Sequence, residues 1–314
     1  MKKMKMALQN QRALANYCWK YKLKIKGEKE MKKNLTLGIP SGSLFDSTLA
    51  LFRKVGIEVV VNGRNFMAEI RGSDIFSHAI IMRPNDLPLA LKNGIVDGII
   101  TGLDMCLESG LEKELCIIVE LNFSKKSKVP ARVVIFCRKN DSDEIVDSEE
   151  ILVSAEYINL AKTIFKKAQV FFSTGSTEIK VAIEEFGFRY GVGVVESGKS
   201  LKDNNLKIVK VILTTPVIFA VRKENMEFQI FGQMLKGALE TEMFQLVKFN
   251  ADSKDKDRLI EILPAMESPT ISDLADGAVA IETVIAKEAI TDSIIAIRKN
   301  GGRNILVQDI NISV

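Results

Sequence analysis

Histidine is almost missing from this sequence: His78 is the only one in 314 residues. A single imidazole removes multi-histidine metal centres and Ser/His/Asp catalysis from consideration. His78 itself, heading the HAIIM run, reads as a polar residue at a strand entry. Cysteine is scarce too, and Cys18, Cys106, Cys116 and Cys137 show no C-x-x-C spacing. All but Cys18 sit among apolar neighbours, which predicts reduced, mostly buried thiols and neither a zinc site nor a disulfide framework. No apolar run approaches the roughly 20 residues of a membrane-crossing helix. The longest, such as residues 133–137 and 211–213, have the length of strands buried in a parallel sheet. Nor do residues 1–30 contain the apolar stretch of about 7–15 residues that a secretion signal needs. The expected location is the cytoplasm, with no membrane partner.

What charge there is lies at one end. The chain carries +4 at neutral pH, yet residues 1–30 hold nine Lys/Arg against Glu28 and Glu30, a local balance of +7 that leaves about −3 for the rest. The segment 1–30 reads as a basic, solvated extension rather than a nucleic-acid arm. From Leu35 onward, short apolar strands alternate with helical stretches: LTLGI (35–39), a helix over 43–56, IEVVV (57–61), AIIM (79–82), a helix over 85–94 and VDGIITG (96–102). That rhythm predicts an α/β architecture, a parallel or mixed sheet covered by helices. A lysine-rich stretch, SKKSKVPA (124–131), interrupts it. A second unit follows, with RVVIFC (132–137), a helix over about 156–168, QVFFS (169–173) and VGVVES (192–197). After VIFAVRK (217–223) the pattern becomes a helix over 224–241, FQLVKFNA (244–251), a helix over 256–264, AVAIETVI (278–285), a helix over 287–300 and NILVQDI (304–310). This is a fragment of the ferredoxin-like α+β order. The expected domains are therefore 31–129 with 207–224, then 130–206, then 225–314.

One motif raises a question. GVVESGKS (193–200) fits the phosphate-loop pattern G-x-x-x-x-G-K-[ST] letter for letter. A working phosphate loop opens a long helix, however, and here Asp203, Asn204 and Asn205 break the chain after about one turn, before LKIVKVIL (206–213) resumes as a strand. A P-loop NTPase is disfavoured on that ground, but the chemistry of the segment stands. Ser197, Gly198, Lys199 and Ser200 supply two hydroxyls, an ammonium group and open backbone N–H groups, a set suited to an anion. Two other turns are built alike. PSGSLF (40–45) puts Gly42 and Ser43 between a strand and a helix, and STGSTE (173–178) does so with Gly175 and Ser176, with Glu178 set to close a capping box. Singly, each is an ordinary helix cap. Three such turns at the carboxyl ends of strands point to one shared anion site.

An ordered series of fragments carries a further resemblance: LTLGIPSGSL (35–44), GRNF (63–66), MRPNDLPLALKNGIVDGIITGLDMCLESG (82–110), FFSTGSTEIKV (171–181), ESGKSLKDNNLKIV (196–209) and ESPTISDLAD (267–276). Together they resemble ATP phosphoribosyltransferase in its long form, with a C-terminal regulatory domain, from about Asn34 to the end of the chain. The resemblance implies two periplasmic-binding-protein-like α/β domains followed by a ferredoxin-like (ACT-like) domain. It implies transfer of phosphoribosyl from phosphoribosyl pyrophosphate to the adenine ring of ATP with release of pyrophosphate, the first step of histidine biosynthesis. Mg²⁺ as cofactor, histidine as feedback inhibitor and a homohexamer built from dimers come with it.

By the same resemblance, phosphoribosyl pyrophosphate falls on Ser197, Gly198, Lys199, Ser200, Gly175 and Ser176, and the nucleotide on Gly42, Ser43, Arg64, Arg83, Thr101, Gly102 and Asp104. The effector falls near Thr270, Leu274 and Ala275, in a stretch whose local reading is a turn of Ser268, Pro269 and Thr270. No residue is assigned as catalytic, and no metal ligand is assigned. Three positions depart from the family pattern. Gly193 stands where an acidic residue usually holds the ribose hydroxyls, Ser41 where a lysine is usual, and FRYGVGVV (188–195) where a small, apolar and acidic stretch is common. Glu196 is a candidate to replace the missing carboxylate, on the face it shares with Val194. The alternative these departures allow is a paralogue that binds nucleotide or histidine and regulates without catalysing.

Overall fold

The computed structural model describes residues 35–63, 65–121, 131–265 and 268–312; the expectations for residues 1–30, for Arg64 and for most of the lysine-rich stretch at 124–131 lie outside them. Among the described residues the strands form three sheets. The first comprises β1 (Leu35–Pro40), β2 (Glu58–Val61), β3 (Met67–Arg71), β4 (Phe76–Met82), β5 (Gly98–Gly102), β6 (Cys116–Leu121) and β12 (Val217–Val221), in the order β2-β3-β4-β1-β5-β12-β6. In it β4, β1 and β5 run parallel. Every residue of β5 and β12 is buried, as expected of strands covered on both faces. The helices α1 (Phe45–Lys54), α2 (Leu87–Lys92) and α3 (Leu103–Ser109) connect these strands.

The second sheet holds β7 (Ala131–Arg138), β8 (Leu152–Ala155), β9 (Gln169–Phe172), β10 (Phe188–Val195) and β11 (Leu206–Thr215), in the order β11-β7-β10-β8-β9. Here β10, β8 and β9 are mutually parallel, while β7 runs antiparallel to both of its neighbours, β10 and β11. Its helices are α4 (Ile158–Ile164), α5 (Thr177–Ala182) and α6 (Lys199–Asp203). The crossing back to the first sheet was expected at residue 206. It occurs instead at Pro216, because β11 pairs along β7 as far as Thr215↔Ala131.

A second boundary also moves. The helix α7 (Met226–Glu240), expected to open the C-terminal domain at residue 225, packs on the first sheet. Its stripe of Phe228, Phe231, Leu235 and Ala238 is buried in the same core as Leu37, Phe76 and Phe219, with the Phe231 ring centroid 5.1 Å from those of both Phe76 and Phe219. Asn225 caps it by accepting the Phe228 N–H at 2.8 Å. The C-terminal sheet then runs β13 (Phe244–Asp252), α8 (Lys256–Ile262), β14 (Thr270–Asp273), β15 (Ala278–Ala286), α9 (Ile290–Lys299) and β16 (Arg303–Asp309), with sheet order β14-β15-β13-β16. This all-antiparallel βαββαβ arrangement is the full ferredoxin-like pattern. Alternate residues of β13 and β15 turn inward onto Leu259 of α8 and Ile297 of α9. The strand β14 replaces the turn expected at Ser268, Pro269 and Thr270; the chain reverses later, where the Leu274 N–H bonds to the Ala278 carbonyl at 2.8 Å.

Candidate active site

Parallel strands deliver their following loops to one edge, so the pairing of β4, β1 and β5 brings three of the singled-out segments together. Gly42 and Ser43 follow β1, Arg83 follows β4, and Thr101 and Gly102 end β5. The Ser41 N–H donates to the Met82 carbonyl at 2.7 Å, fixing the first loop against the second. Gly42 has φ +80°, a conformation that favours glycine. Ser43 and Arg83 are exposed, and among the described residues no carboxylate pairs with the Arg83 guanidinium. Thr101 is buried; its hydroxyl donates to the Pro84 carbonyl at 3.1 Å and ties the end of β5 to the turn after β4.

The second sheet repeats the device with β10, β8 and β9. Ser197, Gly198, Lys199 and Ser200 follow β10, and Gly175 and Ser176 follow β9. Between them, at the end of the middle strand, stands Glu156. The loop after β10 is tight: Ser197 Oγ accepts the Lys199 N–H at 3.4 Å, and Gly198 sits at φ +70°. The helix α6 that follows has five residues, in keeping with the break expected at Asp203, Asn204 and Asn205. Glu178 does not close the capping box expected of it, since the N-cap of α5, Ser176, makes no side-chain cap bond. Its carboxylate instead accepts the Ser200 hydroxyl at 3.5 Å, a long contact that bridges the two loops. Glu196, the candidate replacement carboxylate, lies just beyond Val195 in the turn that opens this loop.

Glu156, at the start of the helix expected over about 156–168, instead directly follows a strand, and the helix begins at Ile158. Its N–H donates to the Val192 carbonyl at 2.9 Å, and its Oε1 accepts the Gly175 N–H at 3.3 Å. Burial raises the Glu156 carboxyl above its ordinary value and nearby Glu178 adds to this, while the Gly175 N–H opposes it. An acid whose pKa is raised by folding contributes most to stability below its unfolded value, and that contribution is lost as pH rises through the folded one. At pH 7–8, Glu156→Gln is therefore expected to unfold at the same or a higher denaturant concentration than the wild type. A lower midpoint would make Glu156 a structural residue.

Asp104, expected at the nucleotide, has a different task. It is 5% exposed and both its oxygens are taken: Oδ2 accepts the Tyr157 hydroxyl at 2.5 Å, and Oδ1 accepts the Thr215 hydroxyl at 2.7 Å. The Asp104 N–H in turn donates to Thr215 Oγ at 2.9 Å. Tyr157 and Thr215, the last residue of β11, both belong to the second lobe and Asp104 to the first, so the carboxylate is a buried node at the hinge. A Cβ on Gly102 would come within 2.1 Å of Asp104 Oδ1, which explains the glycine. One turn along α3, Glu108 caps α4 of the other lobe, accepting the Asn159 and Leu160 N–H groups at 2.9 Å each. Sequence reasoning missed Tyr157, Thr215 and Glu108; their signal was the polar residue at each strand or helix end.

Other candidates fall away. Burial pushes the Cys106 thiol up to about 12, which removes it as a nucleophile. His78 is exposed in β4, its Nδ1 2.8 Å from Ser77 Oγ. Thr270, Leu274 and Ala275 lie on the edge strand and turn of the C-terminal sheet, not on either set of loops. Among the described residues no group of three or more His, Cys, Asp or Glu side chains is arranged to hold a metal.

Comparison with known proteins divides the chain once, near residue 242, where the C-terminal sheet begins. A family profile described as ATP phosphoribosyltransferase matches residues 83–244, and one described as HisG, C-terminal domain, matches residues 242–312. The ATP phosphoribosyltransferase of Chlorobaculum parvum is 31% identical over 88% of this chain and 96% of that protein. The enzyme of the same name from Pelotomaculum thermopropionicum is 29% identical over 87% of this chain and 96% of its own length. Among solved structures, the ATP phosphoribosyl transferase (HisG:HisZ) complex from Thermotoga maritima matches with a TM-score of 0.51 and 22% identity, covering 60% of this chain and 87% of that one.

Proposed function

This chain belongs to the ATP phosphoribosyltransferase family, and from that membership we propose how its two carboxyl edges divide the work. The reaction joins ATP to phosphoribosyl pyrophosphate in histidine biosynthesis. A lone pair on an adenine ring nitrogen forms a bond to the anomeric carbon, and the carbon–oxygen bond to pyrophosphate breaks with its electron pair leaving on pyrophosphate. Positive charge develops on the ribose and negative charge on the leaving group. The step calls for positioning and electrostatics rather than a strong base, which suits a chain with one exposed histidine.

The observation that carries the assignment is the loop after β10. It offers the Lys199 ammonium, the Ser197 and Ser200 hydroxyls and an unobstructed backbone at Gly198, all on the exposed end of a buried strand. We assign it the 5′-phosphate of phosphoribosyl pyrophosphate, with Gly175 and Ser176 beside it. The loops of the first sheet, with Gly42, Ser43 and the exposed Arg83, take the nucleotide and its phosphates; Thr101 and Gly102 shape that edge from beneath. Ser41 leaves Arg83 as the exposed cation there among the described residues.

Among the described residues the acidic groups do not make a metal cage. Mg²⁺ is assigned to the substrates, held on their phosphate oxygens, where it would offset the charge of the leaving group. The C-terminal ferredoxin-like sheet is assigned to feedback by histidine through the segment of Thr270, Leu274 and Ala275, in a cytoplasmic homohexamer. One observation favours a second reading, a paralogue that binds without turnover: Gly193 offers no side chain to the ribose. Pyrophosphate release from ATP plus phosphoribosyl pyrophosphate, with and without histidine, separates the two. Release that needs both substrates and falls with histidine supports the enzyme, and binding of either ligand without release supports the paralogue.

A further inference from the structure

We infer that Glu156 holds the vicinal hydroxyls of the substrate ribose, in the space Gly193 leaves open beside it. The inference rests on the phosphoribosyl reading of the loop after β10 and deepens it. Glu156 directly follows β8, the strand lying between β10 and β9, so it stands between the two loops assigned to that substrate. Its backbone is fixed to β10 by the bond to the Val192 carbonyl, one residue before Gly193. A Cβ built on Gly193 would lie 3.8 Å from Glu156 Oε2. With hydrogen in that place, the position a side chain would take beside Oε2 is left open. Oε1 is held by the Gly175 N–H, whereas no protein donor bonds to Oε2 among the described residues.

The chemistry narrows what can fill the room. A partly buried carboxylate without a cation partner is costly to keep unless a ligand completes its hydrogen bonds. Phosphate oxygens would be repelled by it, and Glu178 close by adds to the repulsion. The part of a phosphoribosyl group that a carboxylate can bind is its diol, whose two O–H donors match two carboxylate oxygens, as an acidic residue does with ribose in dinucleotide sites. A cationic anomeric carbon forming nearby would gain from the same charge. The Thr177 hydroxyl, two residues after Gly175, is buried and has no hydrogen-bond partner among the described residues.

The test is calorimetric titration with ribose 5-phosphate and 2-deoxyribose 5-phosphate on the wild type, Glu156→Gln, and Glu156→Gln with Gly193→Asp, alongside pyrophosphate release from the same preparations. The wild type should prefer the ribose form by about tenfold or more, the scale of one charge-assisted hydrogen bond. Glu156→Gln should bind the two alike, with the affinity for the deoxy form unchanged, and the added Asp at 193 should restore part of the preference. A preference that survives in Glu156→Gln overturns the inference, as does an equal loss of both ligands. If the wild type shows the preference, loses it in Glu156→Gln and releases no pyrophosphate, the catalytic reading fails and Glu156 keeps its role. If it turns over and Glu156→Gln still prefers ribose, the reverse holds. Failure to bind either sugar phosphate overturns both.

Discussion

Asp104→Ala should lower the unfolding free energy by about 3 kcal/mol, measured by urea denaturation at neutral pH. The carboxylate accepts two hydroxyl hydrogen bonds at a site 5% exposed, and hydrogen bonds to a charged group each contribute about 1.5–3 kcal/mol. Their effects overlap, because the alanine also leaves the Tyr157 and Thr215 hydroxyls without their acceptor. Tyr157→Phe removes one of the two bonds and should cost about half as much, leaving Oδ2 unsatisfied. The pair of variants locates the loss at the hinge, since Asp104 comes from the first lobe whereas Tyr157 and Thr215, the last residue of β11, come from the second. A change under about 0.5 kcal/mol in Asp104→Ala, the range of an ordinary surface substitution, would mean the carboxylate does not bind the lobes together.

Lys199→Ala should raise the KM for phosphoribosyl pyrophosphate by about ten- to a hundredfold while leaving the KM for ATP within about twofold. The reasoning is electrostatic. Loss of one charge-assisted contact to phosphate is worth about 1.5–3 kcal/mol. Lys199 is exposed and makes no ion pair among the described residues, so the substitution should leave unfolding within about 0.5 kcal/mol of the wild type. The split between the two substrates is the informative part. An equal rise in both KM values would place Lys199 at a contact shared by the substrates, and no rise would remove the loop from the phosphoribosyl site.

Much of this architecture is legible in the sequence, and the exceptions share a cause. Strands buried on both faces, such as β5, β7 and β12, announce themselves as unbroken apolar runs. Half-exposed strands do not: β3 offers only Ala68 and Ile70 to the core, and β14 is exposed at all four positions. Their pairing is decided by neighbours far along the chain, which local pattern cannot report. The same holds for the boundary at α7, whose stripe is clear in sequence although the sheet it covers is not. The loops 40–43, 173–176 and 197–200 were recognisable because glycine and serine at strand ends have a local meaning. Glu156 was hidden for the opposite reason. Its role comes from the empty place at Gly193, thirty-seven residues away, and from pairing of β8 with β10. The partners of Asp104 were hidden as well, because Tyr157 and Thr215 meet its two oxygens from 53 and 111 residues away.

The most direct test of the account is the rate of pyrophosphate release by the wild type from ATP plus phosphoribosyl pyrophosphate with Mg²⁺, compared with Gly193→Asp. The expected result is turnover by the wild type that requires both substrates, with no gain from the aspartate, whose carboxylate would crowd Glu156. A wild type that folds and binds ATP but releases no pyrophosphate, while Gly193→Asp does, would contradict it.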